Sequence, residues 1–283
     1  MIPLLALLAL IALLIASYTD LKTREVPDWL SYALIAAGLG IRAIFAAVLQ
    51  DFRLVLYGIF GFALFWAIGY GMYRLGQWGG GDAKLLMGLG ALMGFQWPDG
   101  EVLTFLILVI LVGGVYGLGY SVALCFLHYA EVRSAMQRLV QEKRMLKRLI
   151  FIAALVLAAL ALFKGNPWIR VPLVLIAVLL ISGYYAFIFA KSVEEATMKR
   201  KVPLDKVTEG DWIVQDITIK GKYIAGPKDL GITKEQIAAL RKARVREVLV
   251  KYGIPFVPSF LLAFIAYLIL GEYGITASSL LMW

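Results

Sequence analysis

Cysteine is nearly missing from this chain. Cys125 stands alone among 283 residues, inside an apolar run, so neither a disulfide framework nor a four-cysteine zinc site can be built. Histidine is as scarce: His128 is the single one, with no Ser or Cys at a spacing that would make it a triad base, and it reads as a headgroup-level residue. Charged residues make up only 17% of the chain against 61% hydrophobic ones, with a mean hydropathy of +0.83, which excludes a soluble globule with one ordinary core. Acidic side chains are outnumbered, 19 to 28, giving a formal net charge of +9. In a chain this apolar, basic residues report chiefly which loops stay in the cytoplasm, so no nucleic-acid partner is expected.

Long apolar runs are what the chain has in abundance. A helix needs about 20 apolar residues to cross roughly 30 Å of hydrocarbon. By that measure eight spans are expected, near 2–18, 29–49, 54–75, 83–95, 102–127, 149–163, 171–190 and 256–270, the fourth and sixth being short. No basic segment precedes the first run and the charged stretch TDLKTREVPDW follows it, so it reads as a permanent helix and not a cleaved signal. With the N-terminus outward, the loops after spans 1, 3, 5 and 7 collect Lys22, Arg24, Arg74, Lys84, six basic residues from Arg133 to Arg148 and fourteen from Lys191 to Lys251. The opposite loops hold Arg53, Lys164 and Arg170, a bias that places the richer side in the cytoplasm. Arg42, inside span 2, is expected to snorkel or to pack against a partner.

The expected architecture is an all-α polytopic membrane protein of about 6–8 helices with a small soluble α+β cytoplasmic insert. Its divisions are helices 1–5 over 1–128, a basic helical loop over 129–148, helices 6 and 7 over 149–190, the insert over 191–254 and a C-terminal helix over 255–283. The basic loop is expected to lie against anionic headgroups, making membrane lipid a partner. Within the insert, DWIVQDITIKGKYI reads as a strand pair turning near Lys220 to Lys222. Thr233 and Gln236 have capping-box spacing before a helix, and VREVLVK reads as a further strand.

Against this background the stretch WGGGDAKLL, residues 78–86, is out of place, since an ionised carboxylate is costly near lipid. Under the expected topology Asp82 opens span 4 and Asp20 follows span 1, both at the cytoplasmic boundary. Two carboxyls brought together there cannot easily both ionise, and one shared proton is the arrangement of aspartic proteases. The ionised member takes a proton from water while the protonated one donates to the scissile carbonyl; which Asp plays which part stays open. Gly79, Gly80 and Gly81 are expected to allow positive φ and to let an extended peptide approach Asp82 without a Cβ in the way.

These residues carry a family resemblance. GGGD at Gly79 to Asp82, followed by Ala83, Lys84, Leu85 and Leu86, resembles the GxGD signature of type IV prepilin peptidases and archaeal preflagellin peptidases. Asp20 with Lys22, Arg24, Val26, Pro27, Asp28 and Trp29 resembles that family's first catalytic segment, and Pro255, Phe256, Val257 and Pro258 resemble its Pro-Phe-x-Pro element. The resemblance covers roughly residues 1–128 and the C-terminal span, with an insert similar to the archaeal branch. It implies a membrane aspartic endopeptidase with Asp20 and Asp82 as the catalytic pair, removing the short basic leader of prepilin or pre-archaellin subunits. No cofactor is implied. The family's cysteine-rich zinc loop is missing here, so zinc and N-methyltransfer are not expected.

The flanking residues are read more plainly. Asp28 is expected to cap helix 2 and face its dipole. Glu25 reads as a solvated loop charge or a contact for the basic leader, and Lys84 as an interfacial anchor or a loop brace. Gly113 and Gly117 have the spacing that lets helices pack closely. The alternative to a peptidase is a proton- or cation-coupled transporter using Asp20 and Asp82 as protonation sites.

Overall fold

The structure is a computed structural model that describes residues 3–96, 101–163, 166–219 and 221–275. Among these, six helices are long and apolar enough to cross a bilayer, and the chain is a multi-pass membrane protein. They are α1 (Pro3–Thr23), α2 (Asp28–Leu49), α3 (Arg53–Arg74), α5 (Glu101–Leu127), α7 (Arg144–Phe163) and α8 (Pro167–Val193). Two of the eight expected spans are shorter: α4 (Gly80–Met93) has 14 residues and α10 (Val257–Glu272) has 16. At 1.5 Å per residue α4 is about 21 Å long, too short to cross alone.

The chain divides into two compact units, residues 1–118 with 202–283 and residues 119–201, the boundary falling within α5 and within strand β1 (Lys199–Pro203). In the first unit α4 forms the centre. Leu85, Leu86, Leu89 and Leu92 are fully buried, packed with Leu13 of α1, Phe65 of α3, Phe105 of α5 and Phe264 of α10. A helix sheathed on all sides needs small residues where its neighbours cross. A Cβ on Gly90 would lie 2.5 Å from the Gly61 carbonyl oxygen of α3, and one on Gly88 would lie 2.8 Å from Leu34 Cβ of α2. The far end of α4 is closed by Arg42, whose guanidinium donates to the carbonyls of Leu92 at 2.8 Å and Met93 at 2.7 Å and, through Nε, to that of Ala91 at 3.2 Å. A buried cation on terminal helix carbonyls satisfies acceptors the helix cannot pair itself. Arg42 therefore packs against a partner, as one of its two expected readings had it.

The soluble part of this unit is the insert. Strand β5 (Glu247–Lys251) lies between β1 and β2 (Trp212–Ile213), with β2 antiparallel to it and Trp212 opposite Lys251. Strands β3 (Ile217–Ile219) and β4 (Lys222–Ala225) form the expected antiparallel pair; Lys220, at its turn, lies outside the described residues. Helix α9 (Lys234–Lys242) opens on the capping box read from the sequence: Gln236 N–H donates to Thr233 Oγ1 and Thr233 N–H to Gln236 Oε1. Ile213, Ala225, Ile232, Leu240, Val248 and Val250 make its core.

In the second unit the basic stretch 129–148 divides at Lys143 into α6 (Tyr129–Glu142) and the first turn of α7. Helix α6 buries Val132, Ala135 and Leu139, and Leu139 packs with Tyr184 and Ile188 of α8. Its apolar stripe is thus covered by protein, while Arg138 pairs with Glu195 at 2.5 Å.

Candidate active site

Each aspartate gives an oxygen to a helix start. Asp20 lies in the last turn of α1 and is only 5% exposed. Its Oδ2 accepts the Val257 N–H at 2.9 Å, and the Phe256 N–H also faces it, so the carboxylate caps the N-terminus of α10 from another helix. The first N–H groups of a helix have no partner within it, and an acidic group placed there supplies one. Phe256 and Pro258 flank Val257, and the buried Pro255 leads the chain in, so the Pro-Phe-x-Pro element builds the platform on which Asp20 rests. The Phe256 ring packs on Trp78 at 5.9 Å and Phe260 at 5.5 Å, and it occupies the space a Cβ on Gly113 would need, 2.7 Å away. Gly113 therefore serves close packing as expected, whereas a Cβ on Gly117 would meet nothing within 4 Å.

Asp82 is the third residue of α4 and reaches back to its own helix start, where Oδ2 accepts the Gly79 N–H at 3.1 Å. That is the acidic half of a capping box, since a glycine has no side chain with which to return the bond. Burial and then the charge of Asp20 push the Asp82 carboxyl up to about 7, against the opposing Gly79 N–H. The charge of Asp20 thus acts on Asp82 and favours its protonated form.

One expectation is corrected here. None of Gly79, Gly80 and Gly81 has a positive φ: Gly79 is extended at φ −68°, and the next two residues already belong to α4. Their use is the missing Cβ. One on Gly81 would sit 3.1 Å from Val26 Cβ, so the α1–α2 loop lies directly on the glycines, and one on Gly79 would stand 3.4 Å from Asp82 Oδ2.

The flanking residues fall into place around this frame. Lys84 Nζ donates to Asp28 at 2.7 Å and lies 5.8 Å over the Tyr32 ring, so it braces α4 to α2. Being open to solvent on the Asp28 side, the ion pair adds about 0–1 kcal/mol. Asp28 makes no cap hydrogen bond, contrary to expectation. Pro27 takes the cap position and moves Asp28 to the first helical residue, where it still faces the dipole. Glu25 accepts the Thr208 hydroxyl at 3.3 Å. Val257 is the third residue of the Pro-Phe-x-Pro element; unforeseen were Trp78, Tyr73, Thr208 and Trp212. Of these only Trp78 had a local signal, standing directly before the glycines.

An apolar bundle in which two carboxyls are each seated on a helix N-terminus defines a membrane protein with two acidic groups held at helix boundaries. Residues 7–118, the segment that holds both aspartates, match the type IV leader peptidase family. The chain is similar to the preflagellin peptidase of Methanocaldococcus jannaschii, 40% identical over 103 residues, which is 35% of this chain and 44% of that protein. It is also similar to the preflagellin peptidase of Methanococcus voltae, 37% identical over 86 residues, covering 30% and 36% of the two chains. The prepilin peptidase of Methanothermobacter thermautotrophicus is 34% identical over 89 residues, 31% of this chain and 23% of that protein. The chain spans less than half the length of these curated relatives. No solved structure matches.

Proposed function

We propose that this chain is a leader peptidase: an aspartic endopeptidase that cuts the short basic leader from prepilin-like or pre-archaellin subunits at the cytoplasmic face of the membrane. The observation that carries this reading is the coupling of Asp82 to Asp20 within the segment that matches the type IV leader peptidase family. Asp82, which keeps its proton up to about pH 7, is the acid that donates to the scissile carbonyl oxygen. Asp20, held by the α10 N-terminus, is the base that takes a proton from the attacking water. Collapse of the tetrahedral intermediate breaks the C–N bond, the new amine gains a proton, and the dyad returns to one proton between two carboxyls. Gly79 has no Cβ to stand against Asp82 Oδ2, which leaves that side of the carboxyl open to an extended peptide, because a helical substrate has to unwind before its amide is reached. The three relatives named above are all called peptidases, and the transporter alternative gains no support from them.

The test is cleavage of a preflagellin-like substrate, with a basic leader ahead of an apolar segment, by the unmodified protein and by Asp20→Asn and Asp82→Asn. Asparagine keeps the shape and loses the titrating proton. Both folded variants should lose cleavage by about 10²- to 10⁴-fold. Near-normal turnover by either one would remove that residue from the dyad.

A further inference from the structure

The dyad chemistry leaves one set of contacts unused: those that join the insert to the two loops flanking the aspartates. After Asp20, Glu25 accepts the Thr208 hydroxyl at 3.3 Å, and Arg24 Nη1 donates to the Gly253 carbonyl. Before Asp82, the Tyr73 hydroxyl donates to the Leu230 carbonyl at 3.1 Å, and the Trp212 ring lies against Gly76, where a Cβ would come within 3.4 Å of it. The insert therefore touches both loops. Its two points of contact are also tied to each other. Gly210 N–H donates to the Ile232 carbonyl at 2.9 Å and Ile232 N–H to the Asp211 carbonyl at 2.8 Å, while Asp211 Oδ2 accepts the Thr208 N–H at 2.9 Å. The crossing calls for glycine twice, since both positions have the left-handed backbone, but only Gly231 is also short of room. Gly210 and Gly231 have φ of +96° and +120°, and a Cβ on Gly231 would lie 2.7 Å from the Gly210 oxygen. Trp212 adds a third tie, because β2 pairs with β5, and β5 leads through 252–256 into the helix end that Asp20 caps.

We propose that the insert, Val202–Tyr252, is a strut that sets the separation of Asp20 and Asp82, with Tyr73, Thr208 and Trp212 as its positioning residues and the Gly210–Gly231 crossing as its stiff joint. The role of the strut in catalysis rests on the peptidase reading; its role in holding the two loops does not. A strut of this kind acts on turnover and not on substrate affinity, since misplacing a catalytic group by about 1 Å costs on the order of 10²-fold in rate. It also acts on pH dependence. Asp20 is the charged group that acts on Asp82, and Arg24 the one that acts on Asp20, so a wider gap weakens the coupling and moves the alkaline limb of activity to lower pH.

The experiment reads geometry and activity separately. In a Cys125→Ser background, nitroxide labels at Thr23 and Leu75, exposed residues at the ends of α1 and α3, report the distance between the two loops by pulsed electron paramagnetic resonance. Gly231→Ala, and independently Tyr73→Phe with Thr208→Val, should broaden the distance distribution and lower kcat by about 10- to 100-fold with KM unchanged. Thr208→Ser should restore both readouts to within about twofold of the background protein. An unchanged distance distribution in folded Gly231→Ala protein overturns the strut. A rise in KM at constant kcat overturns it in favour of substrate docking on the insert. If the unmodified protein cuts no leader, the peptidase reading fails while the distance measurement still decides whether the insert fixes the loops.

Discussion

Asp82 is a buried carboxyl whose ordinary titration range is displaced upward. Burial and the Asp20 charge hold its carboxyl up to about 7, above the ordinary 3.8. A carboxyl with a raised folded-state pKa binds its proton more tightly folded than unfolded. Its contribution to stability is complete below about pH 4 and is lost as pH rises through about 7. The unfolding midpoint in detergent should therefore fall across that window, and cleavage should fall as pH passes 7. Asp82→Asn, neutral at every pH, should flatten the stability slope and outlast the unmodified protein above about pH 8 while cutting nothing. Parallel slopes for the two proteins would mean that another group titrates. At this scale the sequence was informative because Asp20 and Asp82 each stand at the mouth of an apolar run, where a carboxylate is costly. It could not show that each gives its Oδ2 to a helix N-terminus, since Val257 is 237 positions from Asp20. Asp28 shows the opposite case, in which a local capping rule was overridden by the proline before it.

Among the elements, α4 is the one on which the site depends. It carries Asp82 at one end and is closed by Arg42 at the other, and the Gly61–Gly90 crossing fixes its distance from α3. Gly90→Val would set its Cβ 2.5 Å from the Gly61 oxygen and 2.6 Å from Phe65 Cβ, both in rigid surroundings. Chemical denaturation should show a loss of about 3 kcal/mol or more, whereas Gly114→Val, where a Cβ meets nothing within 4 Å, should be nearly neutral. The hydropathy pattern located α4 but could not say that it is sheathed by protein. A short apolar run looks alike whether lipid or protein surrounds it. The same ambiguity applies to α6, whose basic residues pointed to headgroups while its apolar stripe packs on α8.

On the scale of the whole molecule, the helical membrane body and the α+β insert both followed from composition and periodicity, because each depends on local patterns. The insert's attachment to the aspartate loops did not, since single hydroxyls such as Tyr73 and Thr208 leave no pattern. The cap that Asp20 makes on α10 has a consequence in time. Ribosomes deliver this chain from its N-terminus, so Asp20 reaches the membrane long before Val257 exists. Asp20 stays without the helix start that seats it through most of synthesis, and on the peptidase reading the chain cuts nothing that emerges beside it until α10 is in place. A chain stopped after Tyr252 should accumulate in membranes and cut no leader, and cleavage should return when residues 253–283 are co-expressed as a separate segment.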